Sequence, residues 1–275
     1  MKILITGGTG FMGNQLTPFL KEENHDVTSL GSSDLDLTAT KDVDDFFSEN
    51  SFDVIIHAAV VGGRIHTDDT SETYYINSLM FENVYRHIDK LKMFINLDSG
   101  ASFGRPSLFE YPKENDFGSI VPKDYYGFSK YCIAKRVLEH PKGINLRIFG
   151  CFGLNEKTDR FFIKNIKNYI VGNPIEIYED RQMDYIYIKD FYSILKTYLN
   201  GEYVYKDLNC VYNKKYSLSQ YASLINNLSS KKVEIKFKNK HKAYSYCGSG
   251  NLLDSLNIKM IGIEEGIGEC YENLC

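Results

Sequence analysis

The chain has 275 residues, 43% of them hydrophobic and 25% charged, and carries a formal net charge of -4. That length accommodates one large α/β domain and a smaller lobe, while the mild acidity excludes a global attraction for nucleic acid or an anionic membrane surface. No window reaches the roughly eighteen apolar residues of a membrane span, the opening MKILITGG reads as a strand rather than an export leader, and the six cysteines show no paired spacing; a cytoplasmic protein with free thiols and no structural metal is expected.

Lys2 to Thr6 is a short apolar run that leads through a glycine-rich turn into a helical pattern carrying Phe11, Leu16, Phe19 and Leu20. Pro18 inside that helix removes a backbone donor and predicts a kink. Further strands are predicted at Val27–Leu30, Val54–His57, Met93–Leu97 and Ile144–Phe149, separated by helices at Thr40–Glu49, Glu72–Asp89 and Tyr125–Glu139. Strands alternating with helices imply an α/β, doubly wound parallel sheet of the Rossmann type. From about Gly153 the rhythm loosens into a helix at Arg160–Val171, a strand near Pro174–Tyr178 and a strand-like run at Tyr185–Ile188. The expected division is a dinucleotide-binding domain over 1–152, to which 185–200 returns, and a C-terminal substrate-binding lobe from 153–184 and 201–275. The one basic run, Lys231–Lys242, alternates Val233, Ile235 and Phe237 with polar residues and reads as a strand with a solvated lysine face.

The loop after the first strand is Thr6-Gly7-Gly8-Thr9-Gly10-Phe11-Met12-Gly13, with glycines at 7, 10 and 13. A tight strand-to-helix turn that lets backbone approach a pyrophosphate at a helix N-terminus requires residues without side chains at those places. Gly7, Thr9, Gly10, Phe11, Met12 and Gly13 are therefore the predicted cradle of a dinucleotide. An acid at the tip of the second strand would bind the ribose hydroxyls and repel a 2′-phosphate, but Ser32 and Ser33 stand there, which favours NADP(H) over NAD(H). Asp36, with Leu37 beside it, is placed to meet the adenine amino group. Its alternative is a solvated turn acid ahead of a helix capped by Thr40.

Tyr126 and Lys130 are four residues apart and share one helical face. A phenol is a poor proton donor near neutrality until a cation stabilises its phenolate, which Lys130 can supply. The same spacing recurs at Tyr131/Lys135, Tyr185/Lys189 and Tyr192/Lys196, so context decides. Only Tyr126 opens a helix downstream of a serine, Ser99, that ends a predicted strand. Tyr131 points roughly 140° away on the same helix and is expected to pack.

TGGTGFMG, His57-Ala58-Ala59, LDSGASFG and YGFSK, in this order over roughly residues 1–195, resemble the extended short-chain dehydrogenase/reductase superfamily. The stretch DLDLTATKDVDDFFSENSFDVIIHAAVVGG is similar to GDP-L-fucose synthase and related nucleotide-sugar ketoreductases. The resemblance implies catalysis by Ser99, Tyr126 and Lys130, pyrophosphate contacts at Gly7, Gly10 and Gly13, and a cofactor neighbourhood that includes Ala58, Ala59 and Asn77. It also implies a nucleoside-diphosphate sugar as substrate, met by Ser99, Tyr126 and, at its diphosphate, Arg181, and a homodimer. Departures narrow the reaction. Gly100-Ala101 replaces the Asp-Glu of a sugar dehydratase, and Ala101 replaces the cysteine used in epimerisation by GDP-L-fucose synthase, whose histidine has no counterpart between His140 and His241. Phe149 stands where an asparagine is common. What is left is NADPH-dependent reduction of a 4-keto-6-deoxy sugar, or a 4-epimerase that keeps its NAD. A non-catalytic cofactor-sensing protein is the reading from another class, against which the presence of Ser99, Tyr126 and Lys130 argues.

Overall fold

A computed structural model describes residues 1–63, 68–202, 204–239 and 243–275, and the chain divides into two units. The first unit comprises 1–105, 114–147 and 203–208. It is built on β1 (Lys2–Thr6), α1 (Phe11–Glu22), β2 (Asp26–Leu30), α2 (Thr40–Glu49), β3 (Val54–His57), α3 (Ser71–Tyr85), β4 (Met93–Ser99), α4 (Tyr125–Leu138) and β5 (Gly143–Ile148). Of the next four strands, β6 (Cys151–Phe152), β7 (Ile175–Glu179) and β8 (Ile186–Tyr187) belong to the second unit, and β9 (Asp207–Asn209) completes a six-stranded sheet in the order β2-β1-β3-β4-β5-β9. β1 pairs in parallel with both β2 and β3, and β3 with β4. Ile3, Ile5, Ile55, Ile56, Phe94 and Ile95 are fully buried, as strands covered on both faces demand. Against the sheet lie Val43 and Phe47 of α2, Phe81, Val84 and Tyr85 of α3, and Ile133 and Val137 of α4. The result is the doubly wound parallel fold expected, with its chain reversal between β1 and β3, where such sheets bind ligands at their carboxyl ends.

α1 continues through Pro18, which is exposed, and the Thr17 hydroxyl donates to the Gly13 carbonyl at 2.7 Å. Two local expectations are corrected. Ala39, not Thr40, is the cap residue of α2, because the Thr40 hydroxyl turns to Asn83 Oδ1 at 3.0 Å. α3 stops at Tyr85, and Ile88–Lys90 forms a separate 3₁₀ turn.

The segment that rejoins the sheet also differs from expectation. It is 203–208 that returns, while 185–200 stays in the second unit. β8 already has a ladder partner in β6, with Cys151 opposite Ile186, and it leads without a loop into α6 (Ile188–Leu199). The free edge of β5 is met instead by the later chain, where the Asn145 amide donates to the Lys206 carbonyl at 2.7 Å.

The second unit comprises 106–113, 148–202 and 209–275. Besides β6, β7, β8 and α6 it holds α5 (Phe161–Val171), α7 (Leu218–Asn226), β10 (Ile235–Asn239), α8 (Asn251–Ser255) and α9 (Ile263–Leu274). Its core is aromatic. Phe162 stacks on Phe152 at 4.1 Å and meets Tyr185 and Tyr221 edge-on at 4.9 and 5.2 Å. Within the basic run, β10 pairs in parallel with β7, and Lys236 and Lys238 are exposed beside Glu234 and Glu176. Lys231 and Lys232 bind the carbonyls of Ile170 and Asn226 at helix ends, where the dipole favours cations. Residues 240–242 of the run lie outside the described residues. All six cysteines are free thiols, and no helix among the described residues is long and apolar enough to cross a membrane.

Candidate active site

The glycine loop sits at the carboxyl end of β1. Gly7 has φ of +70°, and a Cβ there would fall 2.7 Å from the Ala59 amide nitrogen, so only glycine allows β1 and the Ala58-Ala59 backbone to approach this closely. At Gly13 a Cβ would come within 2.6 Å of the Gly7 carbonyl oxygen, which locks the first turn of α1 onto the loop. Gly10 is the cap residue of α1, with no side-chain hydrogen bond to the helix and no acid in the first turn. The open amides of Phe11, Met12 and Gly13 therefore fit a pyrophosphate at the positive end of the helix. Thr9 is exposed on the same loop and lies against Gly31 at the end of β2.

Ser32 and Ser33 are exposed in the turn after β2. The nearest acid, Asp34, turns its Oδ2 back onto the Gly31 amide at 2.8 Å. Asp36 Oδ1 accepts from the Thr38 amide and hydroxyl at 2.8 and 2.7 Å, which holds its carboxyl below the ordinary value. Leu37 is buried in the core of the first unit.

Ser99 is the last residue of β4, 8% exposed, and its Oγ accepts from the Ala101 amide at 3.2 Å. α4 begins beside it: a Cβ on Gly127 would lie 2.8 Å from the Ala101 carbonyl oxygen. Asp124 caps this helix, accepting from the Gly127 amide at 2.8 Å. One turn after Tyr126, the buried Lys130 ammonium donates to the Leu97 carbonyl at 2.9 Å, two residues before Ser99. Ser99, Tyr126 and Lys130 are thus gathered where α4 meets the end of β4. Burial lowers the pKa of Lys130, and the charge of Asp98 opposes that shift. His57, 1% exposed and bonded through Nδ1 to the Thr6 hydroxyl at 2.9 Å, is held neutral at about 3 by burial and then by the charge of Lys130. Tyr131 is buried against Phe117 at 5.4 Å, the packing role expected of it.

A serine, a phenol, a buried cation and a glycine-rich turn thus occupy the carboxyl end of one doubly wound sheet. The model of the NAD dependent epimerase/dehydratase family matches residues 3–210. The chain belongs to this family. Among relatives of this epimerase/dehydratase chain, GDP-6-deoxy-D-talose 4-dehydrogenase of Aggregatibacter actinomycetemcomitans is 25% identical over 250 residues, covering 86% of this chain and 83% of its own. GDP-mannoheptose C4 reductase of Campylobacter jejuni, solved with NADP bound, superposes with a TM-score of 0.81 at 19% identity over 98% of this chain and 97% of its own. UDP-glucose 4-epimerase of Thermotoga maritima, solved with UDP-glucose, superposes with a TM-score of 0.83 at 18% identity over 100% and 98%. At these identities the two structures establish the fold that the epimerase/dehydratase chain adopts.

Other predicted site residues of the epimerase/dehydratase chain take less direct positions. Asn77 is 2% exposed and spends its amide on the chain itself: Oδ1 accepts from the Val61 amide at 2.8 Å, and Nδ2 donates to the Val61 carbonyl at 3.0 Å and to Ser129 Oγ at 3.2 Å. It pins the loop after β3 to α4. Arg181 lies in the second unit, part-exposed, and among the described residues its guanidinium is in no ion pair. Phe149 is 8% exposed and packs on Tyr246 at 5.2 Å and against Gly248, so an apolar contact fills the place of the expected asparagine. Two groups were not foreseen. Arg147 is fully buried, bonded to Asp98, Ser102 and Asp207, and Arg105 stands over the Tyr126 ring. An aspartate three residues before Gly127 was a readable cap signal for α4, whereas neither arginine has a local one.

Proposed function

We propose that this epimerase/dehydratase family member is an NADPH-dependent reductase of the C4 ketone of a nucleoside-diphosphate 6-deoxy sugar. The observation that carries the reading is the pairing of Ser99, Tyr126 and Lys130 with Ala101. Two residues after Ser99, where a dehydrating enzyme or one that epimerises by proton abstraction needs a proton-active side chain, stands a methyl group 0% exposed. The likeness to a GDP-6-deoxy sugar 4-dehydrogenase supports C4 and the 6-deoxy class.

Gly7, Thr9, Gly10, Phe11, Met12 and Gly13 would hold the pyrophosphate of a nicotinamide dinucleotide, with Ala58 and Ala59 beside it and Asp36 and Leu37 toward the adenine. Ser32 and Ser33 admit a 2′-phosphate that a carboxylate would repel. The bound nicotinamide supplies the hydride. Tyr126 gives its proton to the ketone oxygen, Ser99 donates a hydrogen bond to the same oxygen, and Lys130 stabilises the phenolate that remains. Arg181 meets the substrate diphosphate with two parallel N–H groups.

The test is isotopic. With a nucleotide 4-ketosugar and NADPH deuterated on the transferred face, one deuterium enters the reduced carbon and one NADP is released per product. Stoichiometric NAD retained in the purified protein, with interconversion of two hydroxy-sugars and no net NADPH oxidation, would establish a 4-epimerase instead.

A further inference from the structure

Arg105 follows the turn that carries Ser99, and its guanidinium carbon lies 5.4 Å from the centroid of the Tyr126 ring. Two carboxylates hold it there. Nη2 donates to Asp124 Oδ1 and stands 3.8 Å from Asp69 Oδ2. Neither acid is free to drift, because Asp124 also caps α4 and Asp69 accepts from the Gly63 amide at 3.0 Å. Gly63, at φ of +78°, lies on the hydroxyl end of the same ring, where a Cβ would fall 2.5 Å from Tyr126 Cζ. The ring is therefore confined by Gly63 and Arg105, and a cation is fixed within cation–π range of it.

A cation near an aromatic ring is attracted more strongly once the ring carries a negative charge, so it favours phenolate over phenol. Resting on the reading of Tyr126 as proton donor, we propose that Arg105 is a positioning residue for Tyr126 and its second stabilising cation beside Lys130, with Asp69 and Asp124 setting how much of its charge the ring feels. Among the described residues, the charged groups on the elements around Tyr126 include Lys130 on α4, with Asp98 of β4 acting on it, Arg105 after β4, Asp124 at the cap and Asp69 ahead of α3; His57 of β3 is neutral. The side chains of Arg105, Asp69 and Asp124 are 29%, 10% and 31% exposed, so solvent screens the triad only in part.

The inference predicts shifts of opposite sign. The Tyr126 titration is read by NMR on protein labelled at tyrosine Cζ, its resonance identified by its loss in Tyr126→Phe. Arg105→Gln raises the Tyr126 pKa by about one unit, and Arg105→Lys restores most of it. Asp124→Asn keeps an oxygen for the helix cap, removes a negative charge, and lowers the pKa. In ketone reduction, Arg105→Gln moves the alkaline limb of the kcat profile up by the same interval and lowers kcat up to tenfold, with KM for the sugar nucleotide unchanged. A purely structural arginine would leave the Tyr126 titration where it was. An unmoved titration in Arg105→Gln, or shifts of the same sign in Arg105→Gln and Asp124→Asn, overturns the proposal. If Arg105→Gln does not fold, Asp69→Asn carries the test, with a downward shift expected and no shift refuting. Because the titration needs no substrate, failure on ketosugars would sink the reductase reading without deciding this one.

Discussion

Replacing Arg147 by methionine removes a buried cation and leaves its partners behind. The guanidinium is fully buried between the rings of Phe103 and Phe117, 4.5 and 4.8 Å from their centroids. Nε donates to Asp98 Oδ2 at 2.7 Å and to Ser102 Oγ at 3.0 Å, while Nη2 donates to both oxygens of Asp207 at 2.8 and 3.1 Å. Asp98 Oδ1 has no hydrogen-bond partner among the described residues to fall back on. Breaking a buried pair from one side costs about 3–5 kcal/mol, a large share of the stability of an ordinary domain. For a chain of this size that lowers Tm by roughly 10 °C.

The pH dependence of that loss has a definite sign. Burial raises Asp207 above its unfolded value, and the charge of Arg147 holds it down. A carboxyl with a raised folded pKa contributes its stability below the unfolded value and loses it as pH rises through the folded one. Without Arg147 the folded value climbs further, so the deficit of Arg147→Met grows between pH 5 and pH 8. Thermal melting of wild type and variant across that range is the assay, and Asp98→Asn added to Arg147→Met should recover part of the loss by neutralising one abandoned charge. A deficit below about 1 kcal/mol at pH 8, or one that does not change with pH, would refute the reasoning.

Tyr126→Phe should lower turnover at least a hundredfold, about 2.7 kcal/mol, while dinucleotide affinity measured by calorimetry stays near wild type; Tyr131→Phe is the matched control and should be mild. Arg181→Ala should raise KM for the sugar nucleotide far more than it weakens NADPH binding, and equal losses for both ligands would contradict the diphosphate role. Glu156, whose Oε2 has no hydrogen-bond partner among the described residues, is pushed by burial up to about 7 against the opposing charge of Arg160. The wild type therefore loses stability as pH rises from the ordinary glutamate range through about 7, on the order of 3 kcal/mol in all. Glu156→Gln should raise Tm relative to wild type at pH 8 more than at pH 5, and a gap that stays constant between them would exclude the buried glutamate as its source.

The parts of this protein that were legible in the amino-acid sequence are those whose causes are local. The runs that became β1, β3 and β4 are apolar because both faces are covered, Gly13 is a glycine because a Cβ would strike backbone within the same turn, and Gly7 is one because its φ of +70° is needed to make that turn, although the backbone its Cβ would strike belongs to Ala58 and Ala59. Tyr126 and Lys130 share a face through helix geometry alone, and Ser99 is marked by the strand it ends. What depended on distant partners could not be read in this way. Three residues, Asp-Leu-Asn, form β9 only because β5 offers a free edge, and β8 stays away from that sheet because β6 has already paired with it. Asn77 was expected near the cofactor, but both ends of its amide are drawn to the Val61 backbone. Arg147 and Arg105 look like any surface arginine in one dimension. The burial of Arg147 exists only where β5, β9 and the turn after β4 converge, because a charge enters a protein interior only where folding has assembled the opposite charges to meet it, and Arg105 meets the Tyr126 ring only once the turn after β4 has folded beside α4.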